Sequence, residues 1–160
     1  MGLSTDSLFI TALQSNSDLM ATLGYVAQTQ TDKGKPARLY GTAIPLPDED
    51  ADNVPVPYVI VTFDGLNNDA GTKDDRYESD YDKVNIGIEV CGETLKDLHD
   101  ITNLVRGTIR EYFRENETAI DDYIFGAQAI QFDSMKPCYW QVLTYQCDVK
   151  IINEDDDEQD

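Results

Sequence analysis

The segment Val84–Arg114, "VNIGIEVCGETLKDLHDITNLVRGTIREYFR", changes its hydrophobic period halfway along, and the change sets the fold class. In its first part Val84, Ile86, Ile88 and Val90 fall on one face, with Asn85, Gly87 and Glu89 on the other. That period of two marks a half-buried strand. From Glu93 to Arg114 the period lengthens. At about 100° per residue, Leu98, Ile101, Val105, Ile109 and Tyr112 share a narrow arc, with Leu95 and Phe113 at its edge. A strand leading into an amphipathic helix, each with one apolar face to bury, predicts a sheet with helices packed on it.

Upstream, Leu8, Ile10, Leu13, Leu19, Met20 and Leu23 recur at helical spacing after Ser4, Thr5 and Asp6. Asn16 and Ser17 interrupt the pattern and Gly24 stops it, so one helix broken into two short pieces is expected. "RLYGTAI" (38–44) reads as a short strand closed by Pro45 and Pro47. In "VPVPYVIVTFDG" (54–65) the run Tyr58–Phe63 is apolar on both pleat faces, the signature of an interior strand covered on both sides, and its prolines sit at the entry. Leu66–Ser79 is a long Asn/Asp/Gly-rich excursion. Downstream, Tyr123–Phe132 and Tyr139–Ile151 read as two strands of a hairpin turned near "SMKP" (134–137). The expected architecture is α+β: a single mixed, largely antiparallel sheet of four to five strands, packed by an N-terminal helix pair and one long amphipathic helix. It occupies residues 1–152 as one domain, followed by a disordered acidic tail, 153–160.

With 160 residues and 41% hydrophobic composition, the chain is long enough to bury about two thirds of its unfolded surface in one core. Its net charge of −19 is unevenly placed. Asp48–Asp52, Asp64–Asp82 and Glu154–Asp160 hold 17 of the 31 acids and 2 of the 12 bases. Such segments argue against wrapping of nucleic acid or adhesion to anionic lipid, which need a basic face, while DNA sliding past an acidic surface stays compatible. Cys91, Cys138 and Cys147 show no CxxC spacing and an odd count, so reduced thiols packed in strands are expected. With no leader and no apolar run of spanning length, a soluble protein made in the cytosol is expected.

Candidate chemistry is sparse. His99 is the only histidine, and no spacing supplies it with partners. "DEDADN" (48–53) opens like a calcium loop but has Asn53 at the turn position and Val59 at the twelfth, where a bidentate acid is needed. "DKGKPAR" lacks a Gly-rich phosphate loop, and there is no Gly-x-Ser-x-Gly or Cys/His pair. The sequence therefore predicts no catalytic residues, cofactor or metal. The more informative constellation lies on the long helix. Arg106, Arg110 and Arg114 form a stripe that His99 and Asn103 continue, and Asp97, Asp100 and Glu111 lie on the other flank. Cations in a last turn complement the helix dipole, and charged stripes are commonly solvated faces. Two oppositely charged flanks also suit head-to-tail contact between copies. Asp74, Asp75 and Glu78, in the acidic excursion, complete the candidate interface.

In the order "DSLFITAL", "LYGTAIPLP", "VPYVIV", an acidic loop, "VNIGIEV", "TLKDLHDITNLVRGTIREYF" and "CYWQVLTYQCDVKI", the chain resembles the tail terminators of lambda-type phages, within the wider family of tail-completion and head-tail joining proteins. The resemblance spans roughly Ser4–Ile151. It implies a non-enzymatic virion protein that forms a ring, commonly a homohexamer. Such a ring caps the tail tube, meets the connector or stopper protein on the head side, and lets genomic DNA pass through its lumen without specific binding. A competing reading is a monomeric acidic binding module, a DNA mimic or inhibitor, that occupies a basic site on a host protein.

Overall fold

The computed structural model describes residues 4–41, 55–68, 79–134 and 137–151. Among the described residues, three helices and six strands follow in the order α1 (Thr5–Gln14), α2 (Ser17–Thr22), β1 (Leu39–Tyr40), β2 (Tyr58–Asn67), β3 (Tyr81–Gly92), α3 (Leu95–Glu115), β4 (Ile120–Ala127), β5 (Gln131–Asp133) and β6 (Cys138–Lys150). The strands form one sheet in the order β1-β2-β3-β6-β4, with β5 also paired to β6. Among the described strand pairs, only β1–β2 is parallel. The α+β class holds, with one strand more than the sequence predicts.

The extra strand arises because the first arm of the expected hairpin is interrupted. β4 pairs with β6 from Ile120 opposite Val149 to Ala127 opposite Leu143, and β5 resumes at Gln131 opposite Trp140. The Gln128 N–H still reaches the Val142 carbonyl at 2.9 Å, so both pieces run along one edge of β6. The turn follows Asp133, which pairs with Cys138.

The expected break in the N-terminal helix falls at Ser15 and Asn16. The Asn16 side-chain oxygen accepts from the N–H groups of Asp18 and Leu19 at 3.0 and 3.1 Å, capping α2. At the other end of α2 the Gly24 N–H donates to the Ala21 carbonyl and the Tyr25 N–H to that of Met20. This closure needs the left-handed backbone that Gly24 adopts, φ 91°. In α3, Thr94 is the cap, its hydroxyl accepting from the Asp97 N–H at 3.1 Å, so the helix begins two residues later than the periodicity predicts.

The core lies between the helices and one face of the sheet. Leu98, Ile101, Val105 and Ile109 of α3 and Phe9, Ile10 and Leu13 of α1 are buried against Val59, Val61, Val84, Ile86, Ile88, Val90, Leu143 and Tyr145. Each such aliphatic side chain contributes about 1.5–3 kcal/mol by leaving water. Tyr145 centres an aromatic cluster, with ring centroids 5.1 Å from Phe9 and Tyr123 and 5.2 Å from Phe125.

β2 departs from its reading as a strand covered on both sides. Val59 and Val61 are buried, Ile60 is half-buried, and Thr62 and Phe63 are exposed. Position in the sheet explains the difference: among the described residues the helices cover only the face that Val59 and Val61 share, and Phe63, on that face but farther along the strand, lies beyond their cover. The opposite face carries Ile60, Glu89, Val142 and Gln146 toward solvent, together with the cross-strand ion pair Lys83–Asp148 at 3.0 Å. Cys91 lies in β3 and Cys138 and Cys147 in β6, all three buried and none in a disulfide. Burial pushes the Cys147 thiol up to about 12, with Asp148 adding to the effect. No helix among the described residues is long and apolar enough to cross a membrane.

Candidate functional site

The candidate site is built on α3, whose core face fixes the rotation of the helix and therefore the direction of both charged flanks. Arg106, Arg110 and Arg114 are all exposed. They stand on the flank that overhangs β4, the edge strand of the sheet. The guanidinium carbon of Arg106 lies 4.1 Å from the centroid of the Phe125 ring, a cation–π arrangement that commits this arginine partly to its own domain. The field of the other two reaches the same strand. Burial raises the Tyr123 hydroxyl above its ordinary value, and Arg110, Arg106 and Arg114 each oppose that rise.

The result is a cationic stripe on α3 beside the aromatic rings of Tyr123 and Phe125 on β4. Among the described residues, no carboxylate lies within 4 Å of any of the three guanidiniums. His99 and Asn103 are likewise exposed on α3, in the turns before Arg106.

The acidic flank is placed differently. Asp100 makes an ion pair with Lys96 at 3.6 Å, both side chains being largely exposed. Such a pair contributes little to stability. Asp97 is exposed beside the helix cap. Glu111 is exposed and lines two shallow clefts, one with Ser15, Asn16, Ser17 and Thr108, the other with Gly107, Arg110 and Arg114. Asp74, Asp75 and Glu78 lie outside the described residues, as do the cluster 48–52 and the tail 153–160. Among the described residues, no group of three or more His, Cys, Asp or Glu side chains is arranged to hold a metal ion.

Two features of the site escape the sequence. Phe125 as the partner of Arg106 requires knowing that β4 runs under that flank, which only the sheet order reveals. Glu89 is half-buried on the open face, between its cross-strand neighbours Ile60 and Val142, and desolvation raises its carboxyl above the ordinary range. The strand alternation already put Glu89 on the face opposite the core, but not its apolar neighbours.

No family model matches the chain, and no curated protein matches it in sequence. Among solved structures, the fold is similar to that of a chain in the virion of a native gene transfer agent particle. The TM-score is 0.50 at 10% identity, covering 92% of this chain and 96% of that one. At that identity the likeness speaks for the fold, and it does so from end to end of both chains. A structure from Akkermansia muciniphila, solved without its transmembrane region, aligns at TM-score 0.26 and 11% identity over 58% of this chain and 46% of the other. That overlap carries no weight here.

Proposed function

We propose that the protein is a structural component of a tailed-phage-type virion that assembles as a ring, commonly of six copies, at the head-proximal end of the tail. In this role it caps the tail tube, ends tube growth and meets the connector or stopper protein, while genomic DNA passes through its lumen. The observation that carries the reading is the fold shared along nearly the full length of both chains with a virion chain. The order of sequence elements, which resembles tail terminators, points the same way. The exposed arginine stripe supports the self-association that a ring needs, because cations with no carboxylate in ion-pair range among the described residues can be matched by acids of another copy. No step of this role is catalytic. The acid-rich segments suit a lumen or partner surface that a polyanion slides past.

The test is assembly on tubes. Purified chain is added to uncapped tail tubes, and both tube ends are imaged by electron microscopy. A ring-shaped density at one end, with tube length fixed thereafter, is the expected result. Bare tubes that continue to grow, together with tight binding of the chain to a nucleic-acid enzyme, would transfer the assignment to an acidic binding module.

A further inference from the structure

We propose that the arginine stripe of one copy docks on the open face of the sheet of the next, with Arg110 and Arg114 meeting Asp64 and Glu89. The inference rests on the self-association proposed above and names the carboxylates that the arginines meet.

The strands themselves build the receiving surface. Between Phe63 and Gly65, β2 carries one residue more than β3, and this extra residue, Asp64, is laid over the neighbouring strand at Gly87. A Cβ at Gly87 would collide with the Asp64 carboxylate, so the close approach requires glycine there. The Thr62 hydroxyl donates to Oδ1 of Asp64 at 2.9 Å and holds the carboxylate in place. Beside it lies a cleft of about 490 Å³ across β2, β3, β6 and β4, with Asp64, Asn85, Thr144, Gln146 and Ile124 in its lining. Gly126, opposite Thr144 on β4, adds no side chain and leaves the floor low.

The chemistry of this surface suits a guanidinium, which carries five N–H donors and no acceptor. Asp64, the side-chain carbonyls of Asn85 and Gln146 and the Thr144 hydroxyl all offer acceptors. Among the described residues, no Lys, Arg or His lies within 4 Å of the Asp64 or Glu89 carboxylate. Glu89 is half-buried between Ile60 and Val142, and desolvation raises its carboxyl above the ordinary range. An arriving cation offsets that cost.

The spacing matches. Glu89 stands on the same face as Gly87, two residues and about 6.8 Å along β3. Arg110 and Arg114 are four residues and about 6 Å apart along α3. A helix laid along β3 therefore sets both arginines over both carboxylates at once. Arg106, stacked on Phe125, stays with its own chain. Glu111 and Glu115 border Arg110 and Arg114 on α3 without pairing with them, so the guanidinium donors remain available.

Within one copy the two patches cannot meet. α3 lies on the sheet face of Val59 and Val61, and Asp64 and Glu89 lie on the other. The contact joins two different surfaces, so copies add head to tail and close into a ring when the rotation allows. It weakens as salt rises, since exposed charges are screened beyond about 8 Å at physiological ionic strength.

Two full-length variants test it. One carries Asp64→Asn and Glu89→Gln, the other Arg110→Gln and Arg114→Gln. At low salt each alone is expected to need at least roughly tenfold more protein than wild type to associate. Mixing them should restore a species of two chains, since one retains the arginines and the other the carboxylates. At high salt, where copies are separate, neither should melt below wild type. The contact is read directly in a chain with Arg110→Lys and Arg114→Lys: a carbodiimide should join the new amines to Asp64 and Glu89, in peptides that pair isotope-labelled with unlabelled chain. If the carboxylate variant multimerises as wild type does, or the crosslinks fall on other carboxylates, the inference is overturned and the ring reading stands. If the crosslinks form as expected while wild-type chain leaves tail tubes bare, the contact stands and the ring reading falls.

Discussion

The side-chain amide of Asn16 donates a hydrogen bond to the hydroxyl of Thr108 across 2.8 Å, joining two residues 92 positions apart. The same Asn16 caps α2 through its side-chain oxygen, and Thr108 passes its own proton to the Leu104 carbonyl at 2.6 Å. One polar side chain thus caps the second helical segment and fastens the junction to α3, the helix that carries the arginines.

Replacing Asn16 with Ala removes the cap and the strut together. The Thr108 hydroxyl keeps its acceptor, so no buried donor is stranded, and the expected cost is about 1–2 kcal/mol. For a domain of this size that lowers Tm by roughly 3–6 °C. Thermal unfolding followed by circular dichroism reads it, and an unchanged Tm would mean that the junction bears no strain of this kind.

Ile101→Asp should prevent folding. Ile101 is buried in the middle of the α3 core face, and an unpaired carboxylate there meets only apolar neighbours. The desolvation cost of several kcal/mol is comparable with the whole stability of a domain. A cooperative melt near the wild-type temperature would show that the core is wrongly placed.

Tyr145→Phe should leave stability unchanged or raise it by about 1 kcal/mol. The Tyr145 ring is buried to 1% exposure within the aromatic cluster, and its hydroxyl has no hydrogen-bond partner among the described residues. Removing an unsatisfied buried hydroxyl while keeping the ring relieves a desolvation penalty. A clear drop in Tm would reveal a partner for that oxygen.

Glu89 sets a pH dependence of definite sign. Burial raises its carboxyl in the folded state above the unfolded value, so the folded chain holds the proton more tightly. Its contribution to stability is therefore largest below the ordinary glutamate value, about 4.3, and declines as pH rises through the raised one. Glu89→Gln should remove that decline and stabilise the protein at neutral pH relative to wild type. Urea denaturation midpoints at pH 4 and pH 7 check it, and a substitution that destabilises at pH 7 would contradict the assignment.

Much of this architecture was legible because it rests on local periodicity. The arc of Leu98, Ile101, Val105 and Ile109, the alternation through Val84–Val90, and the helix break at Asn16 are each properties of a few consecutive residues. What stayed hidden depends on register and on neighbours. The pairing of Lys83 with Asp148 and the placing of Glu89 between Ile60 and Val142 need the strand alignment, which no single segment encodes. β2 reads as doubly covered because its composition is apolar on both faces, whereas coverage is decided by where the helices lie. The arginine stripe was visible as a stripe. That Arg106 stacks on Phe125, and that the flank overhangs a sheet edge, required the fold.

The central claim is self-association through the arginine stripe, and the most direct measurement is the solution mass of the full-length chain by light scattering, at low and at high salt, beside an Arg110→Glu chain. The account predicts a discrete multimer near six copies that dissociates as salt rises and is lost in the variant. A wild-type chain that stays monomeric at every salt concentration and protein concentration, or a multimer that Arg110→Glu leaves intact at low salt, would contradict it.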